Sequence, residues 1–463
     1  MSRVQRSFVE KHAIAEFWGG PAEALARLRI EGPPETLPSV LPVTDLAVAS
    51  VAAAGLAAGE LLAARGGGVR ECVVDRRAVA TAFTSERHLR LDGAEVGGWA
   101  PLSGFFRTRD GWVRTHANYP HHEERLLTAL GLPPGSDRAE VAAELARRDA
   151  ADVEDVVVAA GGLALAVRSP DEWAGSPAGR AASTGPLVDV DHAPGGVPAR
   201  RDGNGRDRRD GNGPAAGVRV LDLTRVIAGP VATRTLAYLG ADVLRVDPPG
   251  LPELTAAHLD TGVGKRSTLL DLRSPGDRRT FDELLAGADV VVTGYRSAAV
   301  NALGLDADRL RAARPGLVVA GLTAWGTAGP WRARRGFDSL VQAATGVATL
   351  TADAAGRPGV LPAQALDHAT GYLLAAAILR ALARPATGAT IRVSLARTAA
   401  WLLNAPRPRS TGTEPERSDA WLAELPSSYG VVRHAVPPFH LDGRPRDWTT
   451  GPVAWGTSEP RWL

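Results

Sequence analysis

A chain of 463 residues, 44% hydrophobic and 22% charged, has enough apolar material for more than one packed core and is not of disordered composition. Its formal net charge of +2 gives no field for gripping nucleic acid or an anionic membrane surface. Cys72 is the single cysteine, which rules out a disulfide within the chain and a thiolate metal cage and fits a reducing cytosol.

In chain order, Met1 to Arg6 leads into a polar segment without an apolar signal core, so a cytoplasmic location is expected. Residues 6–30 read as helical, and 48–64 as a second helix. The Ala-rich runs are interrupted by Arg, Glu and Gly, so no membrane-spanning stretch is expected. A strand at 71–75 precedes a helix at 76–83. Phe105 to Ala117 has an Asp-Gly turn between two strand-like runs, which predicts a hairpin. Helices are expected near 121–130, 138–147 and 151–160. Residues 191–216 contain Arg-Asp-Gly-Asn-Gly twice and read as a linker; the spacing of a calcium loop is missing.

Beyond the linker, apolar strand candidates at 218–223, 242–246, 267–272, 289–292 and 317–322 alternate with helical segments at 230–239, 277–286 and 306–313. Such alternation predicts a parallel, doubly wound sheet. Helices at 336–347, 368–383 and 395–404 and a strand at 390–394 follow.

The stretch Leu361 to Tyr372 (LPAQALDHATGY) has a weak copy at Leu41 to Ala52 (LPVTDLAVASVA). Ala47 falls where Asp367 stands, so one copy carries a carboxylate at the mouth of a helix and the other does not. Taken alone, Asp367 reads as a helix N-cap. The same position favours the ionised carboxylate, which is also what a covalent nucleophile needs. His368 reads as a surface or packing residue.

Several chemical signatures fall short. Gly264-Lys265 is followed by Arg266 and lacks the first glycine of a phosphate loop. His122-Glu123 has Leu126 where a zinc site needs its second histidine. No Gly-x-Ser-x-Gly elbow is present, and no Gly-x-Gly-x-x-Gly follows a strand. No metal site is expected.

Six ordered segments carry a family resemblance: VLDLTRVIAGP (220–230), LGADVLRVDPPG (239–250), GKRSTLLDL (264–272), ADVVV (288–292), GPWRARRGFD (329–338) and LDHATG (366–371). In this order, residues 217–400 resemble the large domain of class III CoA-transferases, the CaiB/BaiF-like group of formyl-CoA and carnitine CoA-transferases. The resemblance implies an α/β fold with a Rossmann-like CoA-binding domain, and CoA transfer from an acyl-CoA donor to a carboxylic acid acceptor. The substrates would be acyl-CoA and a small acid, with no prosthetic group. It implies Asp367 as nucleophile, and CoA contacts at Ile227, Ala228, Leu270, Asp271, Arg273, Gly294, Tyr295, Arg296, Arg335, Gly336, Phe337 and Asp338.

Two departures stand out. Ala302 sits where many members have an arginine, and no glycine-rich covering loop follows Asp367. Related racemases pair the aspartate with a histidine in Gly-His-Asp; here the segment is Gly336-Phe337-Asp338, which removes that base. An isomerase of the same superfamily and a non-catalytic CoA-binding protein are the alternatives. Residues 1–190 resemble a degenerate half with a smaller α+β domain. Residues 191–216 are expected to link it to the large domain at 217–405, and 406–463 to form a return segment. Two abbreviated subunits in one chain would make a pseudo-dimeric monomer, or a homodimer.

Overall fold

Val290–Thr293 (VVVT) is buried along its whole length and forms one of the inner strands of a seven-stranded sheet. A strand buried on both faces reads as a continuous β-branched run, as this one does. The strand order is 266–269, 242–247, 219–223, 290–293, 318–323, 389–394 and 189–192. The first six are parallel, and Asp189–His192 pairs antiparallel with Ala389–Ser394 at one edge. Chain direction across the sheet reverses between Arg219–Leu223 and Val290–Thr293. Loops leaving the carboxyl ends of two such strands diverge and open a crevice.

The computed structural model describes residues 13–68, 70–192, 213–384, 388–408, 419–441 and 447–463. The heart of the expected linker, 193–212, lies outside the described residues, and so does the start of the expected first helix, 6–12. Its remainder departs from expectation: 13–18 and Ala22–Leu25 are helical, but Leu28–Glu31 is a strand parallel to Cys72–Asp75. Gly19-Gly20-Pro21 interrupts the helix, because proline cannot continue the backbone ladder and glycine gains little from it.

Helices Val43–Ala64 and Ala365–Ala383, the two copies of the repeat, pack against each other along their length. Ala-rich faces allow this close approach, and both helices sit in one large apolar core. Val43–Ala64 begins five residues before the expected start at Val48. At 22 residues it is long and apolar enough to cross a membrane by length and composition, which corrects the expectation that no stretch is. Here its surface is mostly buried inside the protein.

The remaining sheets join distant parts of the chain. Phe439–His440 completes a three-stranded sheet with Leu28–Glu31 and Cys72–Asp75. The hairpin of Leu422–Ser427 and Gly430–Ala435 pairs with Arg90–Leu91 and, beyond it, Ala94–Glu95. The predicted hairpin forms as Gly104–Arg107 and Trp112–Thr115, with Ala164–Ala166 beside it. Helices Pro120–Leu130 and Ala150–Ala159 share a separate apolar core with that sheet.

Candidate active site

Three interactions bring Asp367 to the crevice. The first is packing. Gly371 lies one turn beyond Asp367 on the same helix face, and a Cβ there would stand 2.5 Å from the carbonyl oxygen of Ala228. Only a glycine lets helix Ala365–Ala383 come this close to the start of helix Ala228–Tyr238. The second is a lock on the helix mouth. Asp338 accepts the backbone N–H of Asp367 at 2.9 Å, and that of Leu366 as well. The third extends the lock: Gln342 donates to Asp338 and accepts the N–H of Leu361 at 2.9 Å.

Asp367 is therefore not the helix cap. Gln364 holds the cap position, and Asp338 from another element satisfies the N–H groups that a capping side chain would have taken. Among the described residues no hydrogen bond reaches the Asp367 carboxylate, which is 7% exposed and opens into a cavity. Burial, then the negative charges of Asp338 and Glu86, hold its pKa well above the ordinary carboxylate value. Burial likewise pushes Asp338 up to about 6, against the pull of its hydrogen bonds. Two carboxyl groups this close resist being ionised together, and Asp338, with several N–H donors, keeps the charge more easily.

The cavity, of about 320 Å³, lies at the sheet's reversal point. Of the residues singled out in the sequence, Ile227, Ala228, Gly294, Tyr295, Arg296, Arg335, Gly336, Phe337 and Asp367 line it. They leave the ends of different strands: Ile227 and Ala228 follow Arg219–Leu223, and Gly294 to Arg296 follow Val290–Thr293. Gly336 fits because a Cβ would meet the Trp325 indole at 2.8 Å. Leu270, Asp271 and Arg273 are not among the lining residues. Leu270 is in the core, while Asp271 and Arg273 pair with each other at 2.9 Å near the surface. Asp338 is fully buried behind the wall.

The turn entering helix Ala228–Tyr238 is strained. Val226, a β-branched residue, has φ of 71°, a conformation that costs about 1–3 kcal/mol and needs outside support. Glu253 supplies it by accepting the Val226 N–H at 3.1 Å. The same carboxylate accepts the Tyr119 hydroxyl at 2.6 Å and Arg245 at 2.9 Å, and pairs with Arg225 at 3.4 Å. Burial opposes its ionisation, but the Arg245 and Arg225 guanidinium groups hold Glu253 down to about 2. From below, buried Lys265 donates to Asp222, Thr233 and the Pro230 carbonyl, fixing the helix to its strand. The near-miss Gly264-Lys265 is thus a structural fastening.

Sequence reasoning missed Tyr119, His121, His122, Arg225, Trp325 and Leu395 as lining residues. Arg225 was legible, since it stands within the segment that supplies Ile227. The first three come from the opposite half of the chain and had only the rejected His122-Glu123 pair as a signal. His368 is wholly buried and stacked on Phe83, as a packing residue should be. Among the described residues no group of three metal-ligating side chains is assembled.

Residues 215–433 match the family model described as CoA-transferase family III. The chain is 37% identical over 182 residues to a probable fatty acyl-CoA transferase of Mycobacterium tuberculosis, covering 36% of this chain and 46% of that one. It is 34% identical over 187 residues to the succinate–glutarate CoA-transferase of Agrobacterium fabrum, covering 36% and 47%. The crystal structure of Rv3272 from M. tuberculosis aligns over 42% of this chain and 58% of its own, at 35% identity and a TM-score of 0.39. The chain spans about half the length of the curated relatives it matches.

Proposed function

We propose that the chain, whose residues 215–433 match the CoA-transferase family III model, moves CoA from an acyl-CoA donor to a carboxylic acid acceptor, with Asp367 as nucleophile. The observation that carries this reading is the Asp367 carboxylate, free of hydrogen bonds among the described residues and opening into a cavity at the reversal point of a parallel sheet.

In this scheme an ionised Asp367 oxygen attacks the thioester carbonyl carbon. The C–S bond breaks, CoA leaves as thiolate, and an acyl-aspartyl anhydride remains. The thiolate then attacks the aspartyl carbonyl, releasing the donor acid and leaving an aspartyl-CoA thioester. The acceptor carboxylate attacks that thioester, its C–S bond breaks, and CoA is expelled again as thiolate, leaving a new mixed anhydride. Attack of the thiolate on the acceptor's acyl carbon completes the exchange and restores Asp367. A covalent carboxylate thus divides one difficult exchange into steps that each conserve an activated acyl group. A raised pKa suits this role, because the ionised form is then the more basic and the stronger nucleophile. Coenzyme A enters as substrate, and the scheme uses no prosthetic group.

The CoA contacts we assign are Ile227, Ala228, Gly294, Tyr295, Arg296 and Arg335 to Phe337 at the cavity, with Leu270, Asp271 and Arg273 beyond it. Asp338 acts behind the wall as the group that positions Asp367. The large domain, 217–405, is read as a doubly wound, Rossmann-like unit. Residues 1–190 are read as a degenerate second half, joined through 191–216, with 406–463 as a return segment. Packing of Val43–Ala64 on Ala365–Ala383 supports a pseudo-dimer within one chain. A cytoplasmic location is part of the same proposal.

The test is incubation with a panel of acyl-CoA donors, hydroxylamine or borohydride trapping, and mapping of the adduct. An adduct at Asp367 that disappears in Asp367→Asn supports transfer. CoA binding without an adduct on any donor favours a binding protein, and exchange of the α-proton without transfer favours an isomerase.

A further inference from the structure

The transfer scheme expels CoA as thiolate twice and needs it to stay beside Asp367 until it attacks again. On the nucleophile's side the surroundings are acidic, since the charges of Asp338 and Glu86 act on Asp367. Another part of the cavity wall comes from the first half of the chain and takes no part in the scheme. It is the start of helix Pro120–Leu130, where Tyr119, His121 and His122 line the cavity.

This helix start suits a negative charge. Tyr119, at the cap position, makes no side-chain bond to the first turn, and its hydroxyl goes to Glu253 instead. Pro120 has no N–H, and among the described residues the N–H of His121 has no partner. Glu123 belongs to the same turn but does not line the cavity. An uncapped helix N-terminus attracts an anion through its free N–H groups and its dipole.

The His122 ring points the same way. It is 5% exposed, and no hydrogen bond among the described residues engages either of its nitrogens. Nδ1 is sealed from solvent as well, whereas Nε2 is not. A buried polar side chain without a partner is rare and calls for an explanation. Burial, then the charges of His121, His116, Arg335 and Arg125, push His122 down to about 3, so the ring is neutral and carries one proton. A stranded N–H is rarer than a stranded acceptor, which places that proton on Nε2. Neighbouring rings hold the imidazole still: His121 at 4.1 Å between centroids, Tyr119 at 5.4 Å and Phe337 at 5.8 Å.

Position decides which anion. Phe337 directly precedes Asp338, and Asp338 holds the backbone of Asp367. A group here meets the thioester end of an acyl-CoA, since the phosphates lie at the far end of the pantetheine arm. We propose that the Nε2–H of His122, with the start of helix Pro120–Leu130, receives the CoA thiolate each time it is expelled at Asp367, which makes His122 a catalytic residue supplied by the first half of the chain. The proposal rests on the CoA-transfer reading. The proton stays on His122. The C–S bond breaks with its electron pair on sulfur, an N–H···S hydrogen bond stabilises that charge, and the bond is given up when sulfur attacks the next carbonyl carbon. Hydrogen bonds to an ionised acceptor are roughly twice as strong as neutral ones.

The experiment is a pH titration of the thiol of CoA bound to the full chain. It is followed by the ultraviolet absorbance of the thiolate, against a blank with desulfo-CoA, for the unaltered protein, His122→Phe and His122→Gln. Phenylalanine keeps the ring contacts without the donor, and glutamine keeps an N–H. In the unaltered protein the acid dissociation constant of the bound thiol is expected to be at least about ten-fold larger than that of free CoA. His122→Phe is expected to return it to the free value, and His122→Gln to keep most of the gain. In transfer, His122→Phe should lower kcat by about 10²-fold with little change in the KM for acyl-CoA. If neither variant folds, the unaltered protein still decides, because CoA should gain affinity over desulfo-CoA as pH rises through the thiol's titration. A bound thiol that titrates as in solution overturns the proposal, and so does a His122→Phe protein that keeps the gain. Full-rate transfer through Asp367 in His122→Phe leaves the function standing and removes the role of His122. The expected titration, with no adduct at Asp367 on any donor, leaves the thiolate site standing and removes the transfer reading.

Discussion

The carboxylate of Asp338 holds the backbone N–H of Asp367 at 2.9 Å, so one acid fixes the position of another and, by its charge, resists its ionisation. Position and charge can be separated by substitution. Asp338→Asn keeps an oxygen acceptor for the backbone but removes the negative charge. The pKa of Asp367 is expected to fall, and the acid limb of the pH–rate profile to move to lower pH. An unchanged limb, measured as kcat/KM against pH, would show that the two groups are not electrostatically linked.

Asp367→Asn is expected to stop adduct formation and, at the same time, to stabilise the fold. The sign follows from linkage. The folded pKa of Asp367 lies above its unfolded value, so its contribution is fully present below the unfolded value, about 3.9 for an ordinary aspartate. It is lost as pH rises towards the folded value. Asparagine does not titrate. The variant's advantage in melting temperature should therefore be absent near pH 3 and grow as pH rises, which thermal melts across a pH series would reveal. A constant difference at all pH values contradicts the assignment.

Tyr119→Phe removes the hydroxyl that reaches Glu253 from the opposite half of the chain. Loss of a hydrogen bond to a charged group costs about 1.5–3 kcal/mol. Because Glu253 supports the strained Val226 turn, the KM for acyl-CoA is expected to rise more than kcat falls. Equal effects on both, or none, would place the hydroxyl outside substrate binding.

Ala47→Asp recreates in the first copy the acid that the second copy carries. Ala47 is completely buried in the shared core, and an unpaired buried carboxylate costs several kcal/mol unless it stays protonated. A sharp loss of stability is expected at neutral pH, with partial recovery in acid and no second adduct. Trapping of an adduct at position 47 would show a second working centre.

Much of the parallel sheet was legible in the sequence, since its β-branched runs and helical spacings are local signals. Val290–Thr293 and Ala389–Ser394 both fall within a residue or two of their expected limits. The strand Leu28–Glu31 was not legible, because its pairing with Cys72–Asp75 is a long-range choice that overrode a weak helical pattern. The same contrast holds at the site. Ile227, Arg296 and Phe337 stand in recognisable segments, whereas Tyr119 and His122 reach the cavity only through the way the two halves meet. Asp367 stands at a helix mouth, as expected, but spacing alone makes it a cap, since no local signal announces that Asp338 will do the capping.

The pairing of Val43–Ala64 with Ala365–Ala383 sets an order on synthesis. The first helix emerges from the ribosome several hundred residues before its partner, which at roughly 5–20 residues per second is a delay of tens of seconds. The strand at Cys72–Asp75 waits longer still for Phe439–His440. During that interval an Ala- and Leu-rich surface fit for a membrane or another nascent chain has no native cover. Productive folding of this protein should therefore depend on chaperone protection of its first half, and expression of that half alone should yield aggregate.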